Sequence, residues 1–300
     1  MAYEAGRLVV RRKNLFTKYN VREIPISSMD YPKEWRGLQD APPTLYAVGN
    51  IALLKRKKLV VVGSRRTPVP ALRLGENIAK ELSHTLVIVT GTADGGDTAA
   101  IEGALKGSGN VVCLLAGGFS SISPMQTQLL ERVAEKGLVI SPHPYETTVR
   151  NFSYDYRNKL LSLLGEGVFV LGAGEKSGAL ITARYAWGQQ KPLFAIPYFP
   201  GSMAGEGCNA ILRAGGTLVE TAQDVAEKLE INLEEEEKRE VPLTADEKRL
   251  ILVLKELAEG HVMELASATG MPAFKVKGIL SALEVKGVVV AVGGNRYKPL

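Results

Sequence analysis

Four loops of small and polar residues hold the side chains in this chain that suit anion chemistry. The first is Gly63-Ser64-Arg65-Arg66, which closes the apolar run at 59–62. A β-branched apolar run reads as a buried strand, and the glycine lets the backbone turn tightly into the next helix. At that junction of an α/β sheet, backbone N–H groups and a helix N-terminus receive a negative charge. The second loop, TGTADGGD at 90–97, contains Gly91 and ends in Asp97, a natural cap for a following helix. The third is Ala116-Gly117-Gly118, and the fourth runs from Gly172 to Gly178, where Ser177-Gly178 opens the stretch ALITARYA. Glycine-rich turns are common joints, but four of them on one sheet edge beside arginines favour a phosphate-binding crevice.

A different element, NFSYDYRNKLLSLLG at 151–165, places Phe152, Tyr154 and Tyr156 directly before Arg157, Asn158 and Lys159. Aromatic rings beside cations suit a single nucleic-acid strand, whose bases stack while its phosphates are neutralised, at about 1–3 kcal/mol per stacked base. The competing reading makes the aromatics core and the charges a solvated helix start. Composition leaves both open.

Several catalytic chemistries find no support. His84, His143 and His261 are isolated, without metal-ligand spacing, and neither a GxSxG elbow nor a GxxxxGK[ST] loop occurs. Asp94, Asp97 and Glu102 are carboxylates near the crevice that suit acid–base chemistry, and helix capping and surface exposure explain them equally well. Cys113 lies in an apolar run and Cys208 in a loop, far apart in sequence, which argues against a disulfide framework or a zinc site and fits a reducing cytoplasm.

The elements that must position these loops follow from hydrophobic periodicity. Apolar runs at 59–63, 86–91, 111–117, 137–141, 168–173, 192–197 and 217–220 alternate with helical patterns at 70–83, 97–106, 124–136, 155–165, 177–190, 208–214 and 222–229. Strands alternating with helices predict βαβ units: a Rossmann-like, doubly wound, mostly parallel sheet covered on both faces, with its strand-to-helix loops along one edge. Residues 59–230 form that domain. Residues 1–58 read as a basic extension packed on it, residues 231–242 as an acidic linker, and residues 243–300 as a small winged-helix domain. The last reading rests on a Thr244–Glu247 capping box, three helical stretches and a closing hairpin around Gly293-Gly294.

The chain has 300 residues and a net charge of +5. Residues 1–60 hold 12 Lys/Arg against 5 Asp/Glu, whereas residues 61–230 hold 15 against 16. The main body is neutral, so any polyanion must be held by a local cluster of cations and not by a global field. No stretch approaches the about 18 apolar residues of a membrane span, and the N-terminus lacks the features of a secretory signal.

The succession VVGSR, TGTADGGDTAAIEGAL, GLVIS-P-HP, RNK, SGALITARYA, AIP and GCNAILRAGG, preceded by YPKEW and APPTLYAVGN, resembles the DNA-processing protein A (DprA/Smf) family over roughly residues 30–230. The resemblance implies a non-enzymatic, cytoplasmic single-stranded DNA-binding protein. It would need no metal or cofactor, would deliver DNA to a RecA-type recombinase during natural transformation, and would dimerise through the Rossmann-like domain. Carried over by position, Gly63, Ser64 and Arg65 hold phosphate with Arg66 beside them, and Gly91 belongs to the second loop. Arg157, Asn158 and Lys159 stand for Arg-Asn-Arg, losing one planar fork, with Tyr154 or Phe152 stacking a base. Ser177, Gly178 and Thr182 keep the later loop.

Other positions depart. Ala93-Asp94-Gly95-Gly96-Asp97 stands where the family has Ala-Arg-Gly-x-Asp, and Ile101 replaces a histidine. Ser141-Pro142 stands for Ser-Glu, Gly172 for a glutamate, and Ile196-Pro197-Tyr198 for Val-Pro-Gly. These departures mark a divergent member in which the basic N-terminal segment would compensate for Asp94. The alternative is a nucleotide sensor or a nucleoside-monophosphate phosphoribohydrolase-like enzyme on the same fold. That class carries a glutamate on the helix that here begins Ser177-Gly178-Ala179.

Overall fold

The computed structural model describes residues 19–234 and 243–299, which fall into two compact units on either side of the acidic stretch. The basic run Arg11–Lys13 and most of the linker read at 231–242 lie outside the described residues.

The first unit begins with β1 (Arg22–Pro25) and β2 (Thr44–Gly49), and continues β3 (Lys58–Val62), α1 (Val69–Thr85), β4 (Val87–Thr90), α2 (Gly96–Lys106) and β5 (Val111–Leu114). It goes on through α3 (Pro124–Lys136), β6 (Leu138–Ser141), α4 (Asn151–Leu164), β7 (Val168–Val170), α5 (Gly178–Gly188), β8 (Leu193–Ala195), α6 (Glu206–Arg213), β9 (Thr217–Leu218) and α7 (Ala222–Lys228). All seven apolar runs read from the sequence contain strands; six are shorter than their runs, and β3 starts one residue earlier, at Lys58.

They lie in one nine-stranded sheet in the order β1-β2-β6-β5-β4-β3-β7-β8-β9. Strands β3 to β9 are parallel, while β2 runs antiparallel to both β1 and β6. The fold is the expected Rossmann-like α/β sheet. Every residue of β3 is buried, and its side chains alternate between two cores. Leu59 and Val61 meet α1, α2 and α3, whereas Val60 and Val62 meet the face covered by α4, α5 and α6. This is why the strand reads as a continuous apolar run, each fully buried aliphatic being worth about 1.5–3 kcal/mol.

The segment read as an extension packed on the core is built into the sheet instead, because β1 and β2 extend it past β6. The YPKEW motif then anchors the segment to the helix layer. Trp35 is fully buried, and its Nε1–H donates to the Leu160 carbonyl of α4 at 2.9 Å.

The second unit comprises α8 (Ala245–Leu257), β10 (Gly260–His261), α9 (Val262–Thr269), α10 (Ala273–Val285), β11 (Val289–Gly293) and β12 (Arg296–Pro299), with sheet order β10-β12-β11. Thr244 caps α8: its Oγ1 accepts from Glu247 N, and the Glu247 carboxylate accepts from Thr244 N at 2.7 Å. Leu250, Leu254, Leu265, Val276, Leu280 and Leu283 form this unit's own core.

Candidate nucleic-acid interface

The chain lays down β3 to β6 in one direction and then returns to place β7 against the other side of β3. The loops after β3 and β7 therefore part, and a crevice opens at the carboxyl ends of these strands. It is a cleft of about 690 Å³. Ten residues expected from the sequence line it: Gly63, Ser64, Arg65, Arg66, Tyr154, Arg157, Asn158, Ser177, Gly178 and Thr182.

The turn after β3 does not act as a backbone cradle. Gly63 N–H donates to Asp97 Oδ1 at 3.3 Å, Ser64 N–H to the Gly172 carbonyl at 2.8 Å, and Arg66 N–H to Ser64 Oγ at 2.9 Å. Thr67 N–H donates to the Ser64 carbonyl at 3.2 Å, and α1 begins only at Val69. These donors hold the turn in shape and are not offered to a ligand. What the turn offers is the exposed side chains of Arg65 and Arg66. The second loop packs directly beneath. A Cβ on Gly63 would stand 2.8 Å from Gly96 Cα, and Gly95, at φ +83°, meets the Ser64 carbonyl at 2.5 Å from where its own Cβ would be. Glycines at 95 and 96 are thus the means by which two backbones touch. Gly117 and Gly118 likewise approach the backbone of Thr147, Pro144 and Tyr145, so the third loop is mainly a joint.

Helix α4 starts at Asn151, four residues before its expected start. It draws the aromatic cluster onto the helix, with Ser153 Oγ accepting from Arg150 N–H at 3.1 Å at its N-terminus. Helical spacing then puts Tyr154, Arg157, Asn158 and Leu161 on one stripe, and all four line the cleft. Tyr154 is 46% exposed there. Phe152 is exposed but is not among the residues lining the cleft, and the Tyr156 hydroxyl donates to the Asp40 carbonyl at 2.7 Å. Of the three aromatics, one faces the cleft.

Lys159 corrects the sequence reading. It points off the stripe, and its Nζ donates to both oxygens of Asp40 at 2.7 and 2.8 Å. That contact holds the Asp40 carboxyl below the usual range. Lys159→Met is accordingly expected to leave DNA affinity within about twofold of wild type, as befits a surface pair outside the interface. A fluorescence-anisotropy titration checks this.

Arg157 and Asn158 are buried beneath the cleft floor. Asn158 Nδ2 reaches the Gly178 carbonyl at 3.4 Å, tying α4 to the start of α5, where Ser177 Oγ accepts from Ala179 N–H. Arg157 and Asp97 crowd the same point above Gly91, which does not line the cleft: a Cβ there would stand 2.7 Å from Arg157 Cζ and would also strike the Asp97 carboxylate. Burial pushes the Asp97 carboxyl up, against the pull of the Arg157 charge and of the Ala93 and Gly63 N–H groups. Burial likewise lowers the Arg157 guanidinium, opposed by Asp97. Gly91 makes room for these two charges.

The expected anion at the rim, Asp94, is exposed and does not line the cleft, and Ile101 is buried in the core between α1 and α2. Two other departures from the family pattern fit one another. The Tyr198 hydroxyl donates to the Leu171 carbonyl at 2.6 Å, and a Cβ at Gly172 would lie 2.8 Å from that hydroxyl. Tyr198 therefore fills space that a side chain at 172 would need. Glu175, Lys176, Met203 and Ala204 also line the cleft and were not expected. Lys176 had a signal, its place inside the fourth loop, but Met203 had none.

Among the described residues, no three His, Cys, Asp or Glu side chains stand together as metal ligands, and no helix is long and apolar enough to cross a membrane. Cys113 and Cys208 are both buried free thiols, and burial pushes Cys208 up to about 12.

Comparison with known proteins places this geometry among relatives. The family described as DNA recombination-mediator protein A matches residues 22–230. DNA processing protein DprA of Bacillus subtilis is 33% identical over 217 residues, covering 71% of this chain and 73% of the relative. Protein Smf of Escherichia coli is 29% identical over 283 residues, covering 91% and 76%. Among solved structures, DNA processing protein A from Streptococcus pneumoniae superposes with a TM-score of 0.65 at 31% identity, over 74% of this chain and 76% of that one. DNA processing protein A from Helicobacter pylori, solved to describe its single-stranded DNA binding mode, gives 0.62 at 29% identity, over 71% and 95%.

Proposed function

The chain belongs to the DNA recombination-mediator protein A family, and on that footing we propose that it binds single-stranded DNA in the cleft between β3 and β7. The observation that carries the reading is the pairing of exposed Arg65 and Arg66 with the exposed ring of Tyr154 around one cleft. The arginines neutralise phosphates, the tyrosine stacks a base, and Ser177-Gly178 at the start of α5 and the buried Thr182 complete the wall. This is the division of labour that single-strand binding requires. Single-strand binding by the Helicobacter pylori relative supports it.

We propose, too, delivery of the strand to a RecA-type recombinase, in line with the family's description as a recombination mediator; natural transformation as the setting and a cytoplasmic location are what the family resemblance implies. We further propose a homodimer through the Rossmann-like unit. Its support is a depression in which Leu180, Leu193, Ile211 and the 54% exposed Trp187 lie beside the charged Arg184, Glu206 and Arg213.

The second unit is read as a winged helix on its order of three helices and a hairpin. Three of its cations are engaged internally: Lys275 with Asp246 and Lys286 with Glu247, each at 2.7 Å, and Arg296 with Glu259 at 2.5 Å. With Phe274 82% exposed at the start of α10, docking of a protein suits this unit better than duplex DNA.

The competing reading, a phosphoribohydrolase-like enzyme, lacks its glutamate on α5, which opens Gly178-Ala179-Leu180. Incubation with nucleoside monophosphates is expected to release no free base. Base release that Arg65→Ala abolishes would replace strand binding with an enzymatic reading.

A further inference from the structure

Two large apolar side chains stand out from the loop between β8 and α6: Phe199 is 88% exposed and Met203 79%. Single exposed apolar residues are ordinary on a protein surface. These two share one short loop, and its shape is closely fixed. Tyr198 fastens it from beneath. The Tyr198 N–H donates to Asn209 Oδ1 at 3.0 Å and the Tyr198 carbonyl accepts from Asn209 Nδ2 at 2.9 Å, while the hydroxyl reaches the Leu171 carbonyl and the ring fills the space beside Gly205. Phe199-Pro200-Gly201-Ser202 is then a β-turn, closed by Ser202 N–H on the Phe199 carbonyl at 3.1 Å. Pro200 sets its first corner and Gly201, at φ +83°, its second, the pattern of a type II turn. A further bond, from Gly205 N–H to the Ser202 carbonyl at 2.9 Å, returns the chain to α6.

The turn also fixes where the Phe199 ring stands. The ends of a β-turn lie within about 7 Å of each other, so Phe199 is that close to Ser202, whose neighbour Met203 lines the main cleft. The loop rests on the cleft wall: a Cβ at Gly174, another lining residue, would stand 2.9 Å from the Met203 carbonyl oxygen. Residues 196–205, IPYFPGSMAG, carry no charge, so nothing in the loop repels phosphate. An uncharged ring gains from the π-face of any base, and a ring on a pre-shaped turn gives up little freedom on binding.

We propose that Phe199 is a second base-stacking platform, beyond Met203, that carries the strand out of the cleft past β8. The inference rests on the reading above, in which a single strand occupies the cleft with a base on Tyr154. Phe199 sets how many bases the site holds, not how many phosphates it neutralises. Its anchor Tyr198 is one of the departures from the family pattern, so the platform belongs to this chain.

Phe199→Ala removes the ring and leaves the charges and backbone bonds of the loop in place, and it should melt with the wild type. Binding is read by anisotropy on dT oligonucleotides of increasing length. The shortest strands that the wild type holds should bind Phe199→Ala equally well. Longer ones should bind it about tenfold more weakly, within the range for one stacked base. The salt slope should keep its wild-type value, because no phosphate contact is lost. Phe199→Trp should restore affinity and lose part of its emission when a saturating strand is added. A strand made entirely of abasic sites should bind wild type and Phe199→Ala alike. Equal affinity of the two proteins at every length would overturn the platform, as would a loss that the abasic strand shows in full or that comes with a lower salt slope. A changed molar mass by light scattering, with strand affinity intact, would assign the ring to a protein contact and overturn it too. A wild type that binds no strand of any length removes the single-strand reading and the platform with it. Wild-type binding that Tyr154→Ala weakens and Phe199→Ala does not overturns the platform alone.

Discussion

Asp97→Ala is expected to destabilise the first unit by about 3–5 kcal/mol, the range for removing one partner of a buried charge pair. The carboxylate is the counter-charge of Arg157, which is itself buried and keeps its charge. It also accepts the N–H groups of Gly63 at 3.3 Å and Ala93 at 3.1 Å, so its loss orphans two backbone donors as well as a cation. Those two bonds hold the turn that carries Arg65, so strand binding should fall with stability. Asp97→Asn retains an acceptor oxygen but not the charge and should lie between alanine and wild type. Urea denaturation measures the effect: the midpoint should drop sharply at unchanged slope. A change below about 1 kcal/mol, the size of an ordinary exposed pair, would show that Arg157 does not depend on Asp97.

Gly96→Ala should come next in size, near 3 kcal/mol at the upper end of overpacking costs. The new Cβ would sit 2.6 Å from Gly63 N and would strike Gly63 Cα, so it meets backbone that cannot rotate away. The gain in helix propensity over glycine, about 1 kcal/mol, is too small to reverse the sign. Relief of the clash must push the Gly63–Arg66 turn away from α2, moving both arginines relative to Tyr154. A melting temperature close to wild type with unaltered DNA affinity would mean that the two loops are not in the backbone contact described.

The fold was largely legible because strands buried on both faces announce themselves as β-branched runs: Leu59–Val62 and Val111–Leu114 need no tertiary information. The two N-terminal strands were missed for a physical reason. β1 is a four-residue edge strand ending in Pro25 with one buried position, and β2 follows a proline-rich stretch, so neither shows a strong period. The site was legible in residue type and less so in direction. Once 151–164 is a helix, the i, i+3, i+4, i+7 spacing selects Tyr154, Arg157, Asn158 and Leu161 and rejects Lys159, but placing the helix start at 155 concealed it. The turn at Gly63–Thr67 reads as a backbone cradle because a sequence does not reveal which N–H groups are already bonded to Asp97 or Gly172. For the same reason, nothing in the letters RNK discloses that the arginine is buried beside Asp97, or that Tyr198 and Gly172 accommodate each other.

The central claim is that Arg65 and Arg66 grip the phosphates of a single strand. The most direct measurement is an anisotropy titration of a dT oligonucleotide and of a duplex of the same length, across a salt series, with the wild type and Arg65→Ala/Arg66→Ala. The wild type should prefer the single strand, and the double variant should lose most of that affinity while its salt slope falls by about 1.4, two phosphate contacts. Equal affinity for single strand and duplex, or a double variant with the wild-type affinity and slope, would contradict the account.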